Sequence, residues 1–139
     1  MDEHAVTTRE DFEYWLASMD DFLEQFIDAF PEEDRHQLDF SPKSLDVVEA
    51  WVLRKYPEFD DIVKPSESQT VNGVACYVGE VFRKKIDAKW DIWLDDLSYA
   101  YYGLPIITWG KEVRCPVTLV TTSTDRRTGE FMKTILEYA

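Results

Sequence analysis

Between Arg9 and Phe30 the apolar residues Phe12, Trp15, Leu16, Met19, Phe22, Leu23, Phe26, Ile27 and Phe30 recur every three or four positions. That is the stripe of an amphipathic helix. The spacing predicts one helix over 9–30, about 30 Å long at ~1.5 Å per residue. Thr8 serves as its cap, Glu10 and Asp11 favour its positive end, and Pro31 stops it. Leu38-Asp39-Phe40 reads as a short extended stretch. Ser41 then caps a second helix with Pro42 in its first turn, marked by Leu45, Val48, Trp51, Val52 and Tyr56 and ended by Pro57.

Glu58 to Pro65 reads as an acidic loop, and Ser66-Glu67-Ser68-Gln69 matches the capping-box pattern that opens a third helix. In that helix Val71, Val74, Ala75, Val78 and Phe82 line one face. Gly73 and Gly79 each weaken a helix by ~1 kcal/mol relative to Ala, so their presence predicts close packing of another backbone there. After Lys85 the period changes. Lys89 to Leu94 alternates as a strand, Asp95-Asp96 turns, and Ser98 to Tyr102 continues as a second strand or an extended aromatic segment. Gly103 and Pro105 lead to Ile106–Trp109, and Gly110-Lys111-Glu112 turns again. Residues 89–110 therefore predict an antiparallel meander.

Val113 to Thr124 carries two patterns. Its Val and Thr content favours a strand, whereas Cys115-Pro116 suits a helix start, and the helix is preferred. Thr128 caps a closing helix containing Phe131, Met132, Ile135 and Leu136. The fold expected is α+β, one domain over residues 1–139. A helical layer of about four to five helices, drawn from 9–30, 41–86 and 115–138, packs on a small two- to three-stranded antiparallel sheet.

Composition narrows the class. Hydrophobic residues at 45% and aromatics at 14% exclude disorder. No apolar run approaches the roughly 18 to 20 residues of a membrane helix, and Met1-Asp2-Glu3-His4 lacks the pattern of a signal peptide. The expectation is a cytoplasmic protein with no membrane partner. Cys76 and Cys115 are too few for a disulfide framework, and with only His4 and His36 beside them they show no metal spacing. No metal, cofactor or catalytic residue is assigned.

Charge carries the strongest functional hint. Of 28 acidic residues, thirteen fall in the first 39 positions and face only Arg9 and Arg35, a net of −11 out of the chain's −13. Such a face repels nucleic acid and anionic membranes and attracts basic protein surfaces. Glu13, Asp20, Asp21, Glu24 and Asp28 lie on the outer side of the predicted first helix and are the candidate partner-binding residues. The ladder Asp20, Glu24, Asp28 has the i, i+4 spacing at which like charges destabilise a helix. One straight ladder does not converge on a cation as hard metals require, so the choice lies between a solvated face and a basic protein partner.

A second constellation lies in the third helix. Glu80 and Arg83 stand three apart beside Tyr77, and with Trp90 they form a candidate pocket; the simpler reading is a structural ion pair orienting helix against sheet. Tyr99, Tyr101, Tyr102 and Trp109 would suit a stacking platform, but Arg83-Lys84-Lys85 is too short a basic tract for nucleic acid, and packing explains them better. Asp60-Asp61 and Asp95-Asp96 read as turn residues.

The runs Leu38-Asp-Phe-Ser-Pro-Lys-Ser-Leu-Asp-Val-Val-Glu49 and Gly73-Val-Ala-Cys-Tyr-Val-Gly-Glu-Val-Phe-Arg83, followed by Trp90, resemble small uncharacterised bacterial proteins over roughly residues 38 to 135. Some proteins of this size and composition are immunity proteins that neutralise toxins, so the resemblance implies a non-enzymatic binding role. Three functions are thus expected in order: an immunity or inhibitor protein engaging a basic partner, a small-molecule-binding or hydrolytic domain around Glu80 and Arg83, and a homodimerising domain.

Overall fold

A computed structural model describes residues 6–139. The helix predicted over 9–30 is two helices, α1 (Arg9–Ala17) and α2 (Met19–Ala29), broken at Ser18. The Ser18 hydroxyl donates to the Tyr14 carbonyl at 3.0 Å, and its N–H is shared between the carbonyls of Tyr14 and Trp15. A serine that bonds back to the preceding turn bends or ends a helix. The apolar stripe runs on through the break, so periodicity alone does not reveal it. The two halves serve two clusters. Phe12 joins Val6 and Ile92, whereas Phe26 and Phe30 enter the main core. Thr8 caps α1 as expected, accepting from the Asp11 N–H at 3.0 Å.

After a 3-10 turn at Glu32–Gln37, Leu38 to Phe40 is not extended: Phe40 adopts φ 63°, a left-handed conformation. Such a conformation costs a side-chain-bearing residue roughly 1–2 kcal/mol. Tyr77 opposes that cost. Its hydroxyl accepts from the Phe40 N–H at 2.9 Å, its ring stacks on Phe40 at 4.6 Å, and it donates to Ser44 Oγ at 2.8 Å. Helix α3 (Ser44–Lys55) follows one turn later than predicted, with the Ser41 hydroxyl accepting from the Ser44 N–H. Within the expected loop 58–65 lies a short helix, α4 (Phe59–Ile62), closed by reciprocal capping between Glu58 and Asp61.

The predicted capping box at 66–69 does not form. A 3-10 turn at Pro65–Glu67 precedes α5 (Ser68–Ile86), whose N-terminus has no side-chain cap, and the Glu67 carboxylate accepts from the Tyr56 hydroxyl at 2.6 Å. The face Val71, Val74, Ala75, Val78 and Phe82 is buried as the pattern predicts. At Gly73 an added Cβ would lie 3.1 Å from the Phe26 Cβ, so α2 crosses α5 with little between the backbones. Gly79 has a different reason: the Trp90 indole occupies the space a Cβ would need.

Strands β1 (Lys89–Asp91), β2 (Ile106–Trp109) and β3 (Glu112–Arg114) form an antiparallel sheet in that order. β1 is half the predicted length, β3 lies beyond the predicted meander, and the aromatic segment 98–102 folds into successive turns rather than a strand. The register sets Lys89 opposite Thr108, Asp91 opposite Ile106, and Thr108 opposite Val113. Residues directly opposite share a face, so these form the outer face, while Trp90 and Ile107 turn inward. Helix α6 (Pro116–Arg126) starts at the predicted proline, and α7 (Phe131–Glu137) closes the fold. The architecture is α+β. Among the described residues there are seven α-helices rather than about four to five, because the first helix breaks at Ser18 and α4 occupies a predicted loop.

Candidate functional site

The five carboxylates of the first candidate set stand on α1 and α2. Glu13, Asp20, Asp21, Glu24 and Asp28 are all exposed, and none forms an ion pair among the described residues. Their neighbours in the apolar stripe hold the helices down: Phe12, Met19 and Phe26 are buried. Beside this face a recess of about 160 Å³ opens between α2 and α5, lined by Phe22, Gln25, Gln69 and Asn72 among others. At its margin the Trp15 indole N–H donates to Asn72 Oδ1 at 2.9 Å. The acidic face is therefore not a smooth cylinder but flanks a recess bearing side-chain amides.

The second set divides. Glu80 Oε2 accepts from Arg83 Nη1 at 2.7 Å and from the Trp90 indole at 3.0 Å. Glu80 is nearly covered whereas Arg83 is largely exposed. Tyr77 is fully buried, and its hydroxyl is engaged by Phe40 and Ser44 instead. The structure thus joins Glu80, Arg83 and Trp90 and assigns Tyr77 to bracing the loop before α3. Trp90 lies against Gly79 and meets Trp15 edge-on at 4.9 Å. In this arrangement the Glu80 carboxylate locks helix α5 to the sheet.

Two residues with chemistry escape the pattern. Glu49 is completely buried, and its two oxygens accept from the N–H groups of Phe131 and Met132 at 3.0 and 2.9 Å. It supplies from α3 the cap that α7 lacks locally, while Thr128 accepts only from the Glu130 N–H. Burial raises its carboxyl above the usual range, against the pull of these backbone donors. The neighbouring Asp46 pairs with Lys133 at 2.7 Å, tying the same two helices at the surface. The sequence shows Glu49 only as an acid one position after Val48 on an apolar face, which is the one signal of its burial. Cys76 and Cys115 are buried, and burial raises both thiols, so they stand protonated at neutral pH and are poor nucleophiles.

Among the described residues no group of three or more His, Cys, Asp or Glu side chains is arranged to hold a metal ion, and no helix is long and apolar enough to cross a membrane. No protein-family profile, no curated protein and no solved structure matches this chain.

Proposed function

We propose that the chain is a non-enzymatic binding protein whose acidic face on α1 and α2 engages a basic protein surface. One observation carries the reading. The five carboxylates of that face are exposed and without ion-pair partners among the described residues, on a segment whose first 39 positions hold thirteen acids against only Arg9 and Arg35. Asp20, Glu24 and Asp28 repel one another at i, i+4 by roughly 0.2–0.5 kcal/mol per pair, a cost that a partner's cations would reverse. An immunity or inhibitor protein, holding a basic toxin or enzyme, is the form of this function that the sequence resemblance favours.

The test is kinetic. Affinity capture followed by mass spectrometry identifies the partner, and its association is then followed at increasing ionic strength. The Debye length falls from about 10 Å at 0.1 M to about 3 Å at 1 M, so attraction through an exposed face predicts a steep loss of on-rate. Replacing Asp20→Asn, Glu24→Gln and Asp28→Asn together should slow association at low salt. A triple variant that binds at the wild-type rate removes this face from the function.

A further inference from the structure

A cleft on the outer face of the sheet bears on what kind of basic group is recognised. The outer face of the sheet supplies its floor, with Ile106, Thr108 and Val113 side by side across β2 and β3. The turns after β1 fold over that floor, and Trp93 packs on Tyr99 with ring centres 5.8 Å apart. Around these surfaces stand Asp91, Asp95 and Asp96. The enclosed volume is about 390 Å³, near the low end of the roughly 300–1,000 Å³ typical of ligand sites. It fits one large side chain better than an extended ligand.

The chemistry of the walls selects the occupant. No Lys or Arg lines the cleft; Lys89 shares the outer face through its pairing with Thr108 but does not line it. Two aromatic rings and three carboxylates, of which only Asp91 is paired with a base, attract a cation and repel an anion. The carboxylates are differently committed. Asp96 Oδ1 accepts from the Ser98 N–H and hydroxyl at 2.9 and 2.7 Å, and Asp91 Oδ1 lies 3.4 Å from Arg9. The Asp95 side chain is exposed and has no partner among the described residues. Trp93 is 46% exposed and Leu97, one residue past Asp96, is 80% exposed, an apolar rim beside the acids.

The protein holds its own example of the pairing such a cleft would make. On β3 the Arg114 guanidinium sits 5.9 Å from the centre of Trp109 while bonding Glu112 at 3.4 Å. Planar guanidinium both stacks on aromatic faces and bonds carboxylates through its edge, which a compact ammonium does less well. We infer that the cleft is a docking site for an arginine side chain presented by a basic segment of a partner protein. The inference rests on the binding reading above and assigns it a second contact, specific in geometry where the helical face is general in charge.

A blocked Gly-Arg-Gly peptide is titrated into the protein while the Trp93 indole resonance is followed by NMR, beside the same peptide with citrulline and beside guanidinium ion. The arginine peptide should shift Trp93, the citrulline peptide should not, and guanidinium ion alone should bind more weakly than the peptide. Trp93→Ala should weaken the peptide about fivefold, read by calorimetry because the probe is gone, and Asp95→Asn about threefold. Both positions are exposed, so the variants should melt with the wild type; should Trp93→Ala unfold, Asp95→Asn decides alone. Equal binding of the citrulline peptide, or undiminished binding by both cleft variants, overturns the inference. If Asp20→Asn, Glu24→Gln and Asp28→Asn weaken the peptide while the cleft variants do not, the cleft inference fails and the helical face stands. If the peptide obeys the cleft variants but partner association ignores both salt and the helix triple variant, the helical face fails instead.

Discussion

Gly79 is the position where a single methyl group should do the most damage for its size. The Trp90 indole covers the residue so closely that the ring and a Cβ would interpenetrate. The ring is not free to yield, because its N–H donates to Glu80 at 3.0 Å and it packs in an edge-to-face contact with Trp15 at 4.9 Å. Gly79→Ala gains about 1 kcal/mol of helix propensity. Against this stand about 1–3 kcal/mol for overpacking and about 1.5–3 kcal/mol for the lost bond to a charged acceptor. The net is a destabilisation of about 1.5–5 kcal/mol, or roughly 10 °C in melting temperature for a chain of this length. Urea unfolding followed by circular dichroism measures the effect in the wild type and in a Trp90→Leu background. Without the indole, the alanine should be neutral or should stabilise by up to about 1 kcal/mol, giving a coupling of about 1.5–6 kcal/mol between the positions. Stabilisation of both backgrounds by the same amount would refute the contact.

The Asp20→Asn, Glu24→Gln, Asp28→Asn variant should melt at or slightly above the wild type, gaining at most about 1 kcal/mol as two like-charge pairs are relieved; a large loss would show that the carboxylates hold the helix. Glu49→Ala should cost about 3 kcal/mol by leaving the Phe131 and Met132 N–H groups without acceptors, and hydrogen exchange should rise at the start of α7. The raised Glu49 carboxyl sets a sign for pH as well. The native state holds that proton more tightly than the unfolded chain, so its contribution is fully present below the ordinary value of 4.5 and is lost as pH climbs through the native value. Glu49→Gln should remove that part of the slope in denaturant midpoint against pH, and an unchanged slope would reject the assignment. Tyr77→Phe should cost about 1–3 kcal/mol, because the Phe40 N–H loses the acceptor that supports its left-handed backbone.

Much of this architecture is legible in apolar spacing. The buried face of α5, the inward face of α2, the start of α6 at Pro116 and the strand at Ile106–Trp109 all follow from periodicity and proline. What escapes is set by single hydrogen bonds that the apolar spacing does not register. Ser18 ends α1 through its own hydroxyl without disturbing the stripe. The 66–69 pattern gives way to a 3-10 turn, and Phe40 turns left-handed because Tyr77, thirty-seven residues on, holds its N–H. The acidic face was visible because charge on an exposed helix depends on no partner. The cleft of Asp91, Trp93 and Asp95 was not, because it exists only once the turns after β1 fold over β2 and β3. The sequence reading takes Asp95-Asp96 as a turn, and Asp96 does bond Ser98 there; the second role needs the sheet.

The bond between Glu49 and the start of α7 spans eighty-two residues of chain. A ribosome delivers Glu49 long before it delivers Phe131 and Met132. Until they emerge, the site that will bury this carboxylate has nothing to offer it, and an unpaired charge in an apolar setting is strongly disfavoured. The helices α3 and α5 therefore cannot reach their final packing early at no cost. Glu49 must stay hydrated or protonated, holding that corner of the core open until α7 arrives. A chain interrupted before Phe131 would be left in that open condition, with apolar surface around Val48 and Val52 exposed to aggregation and to proteases. A single buried acid thus makes the arrival of α7 a condition for closing the core.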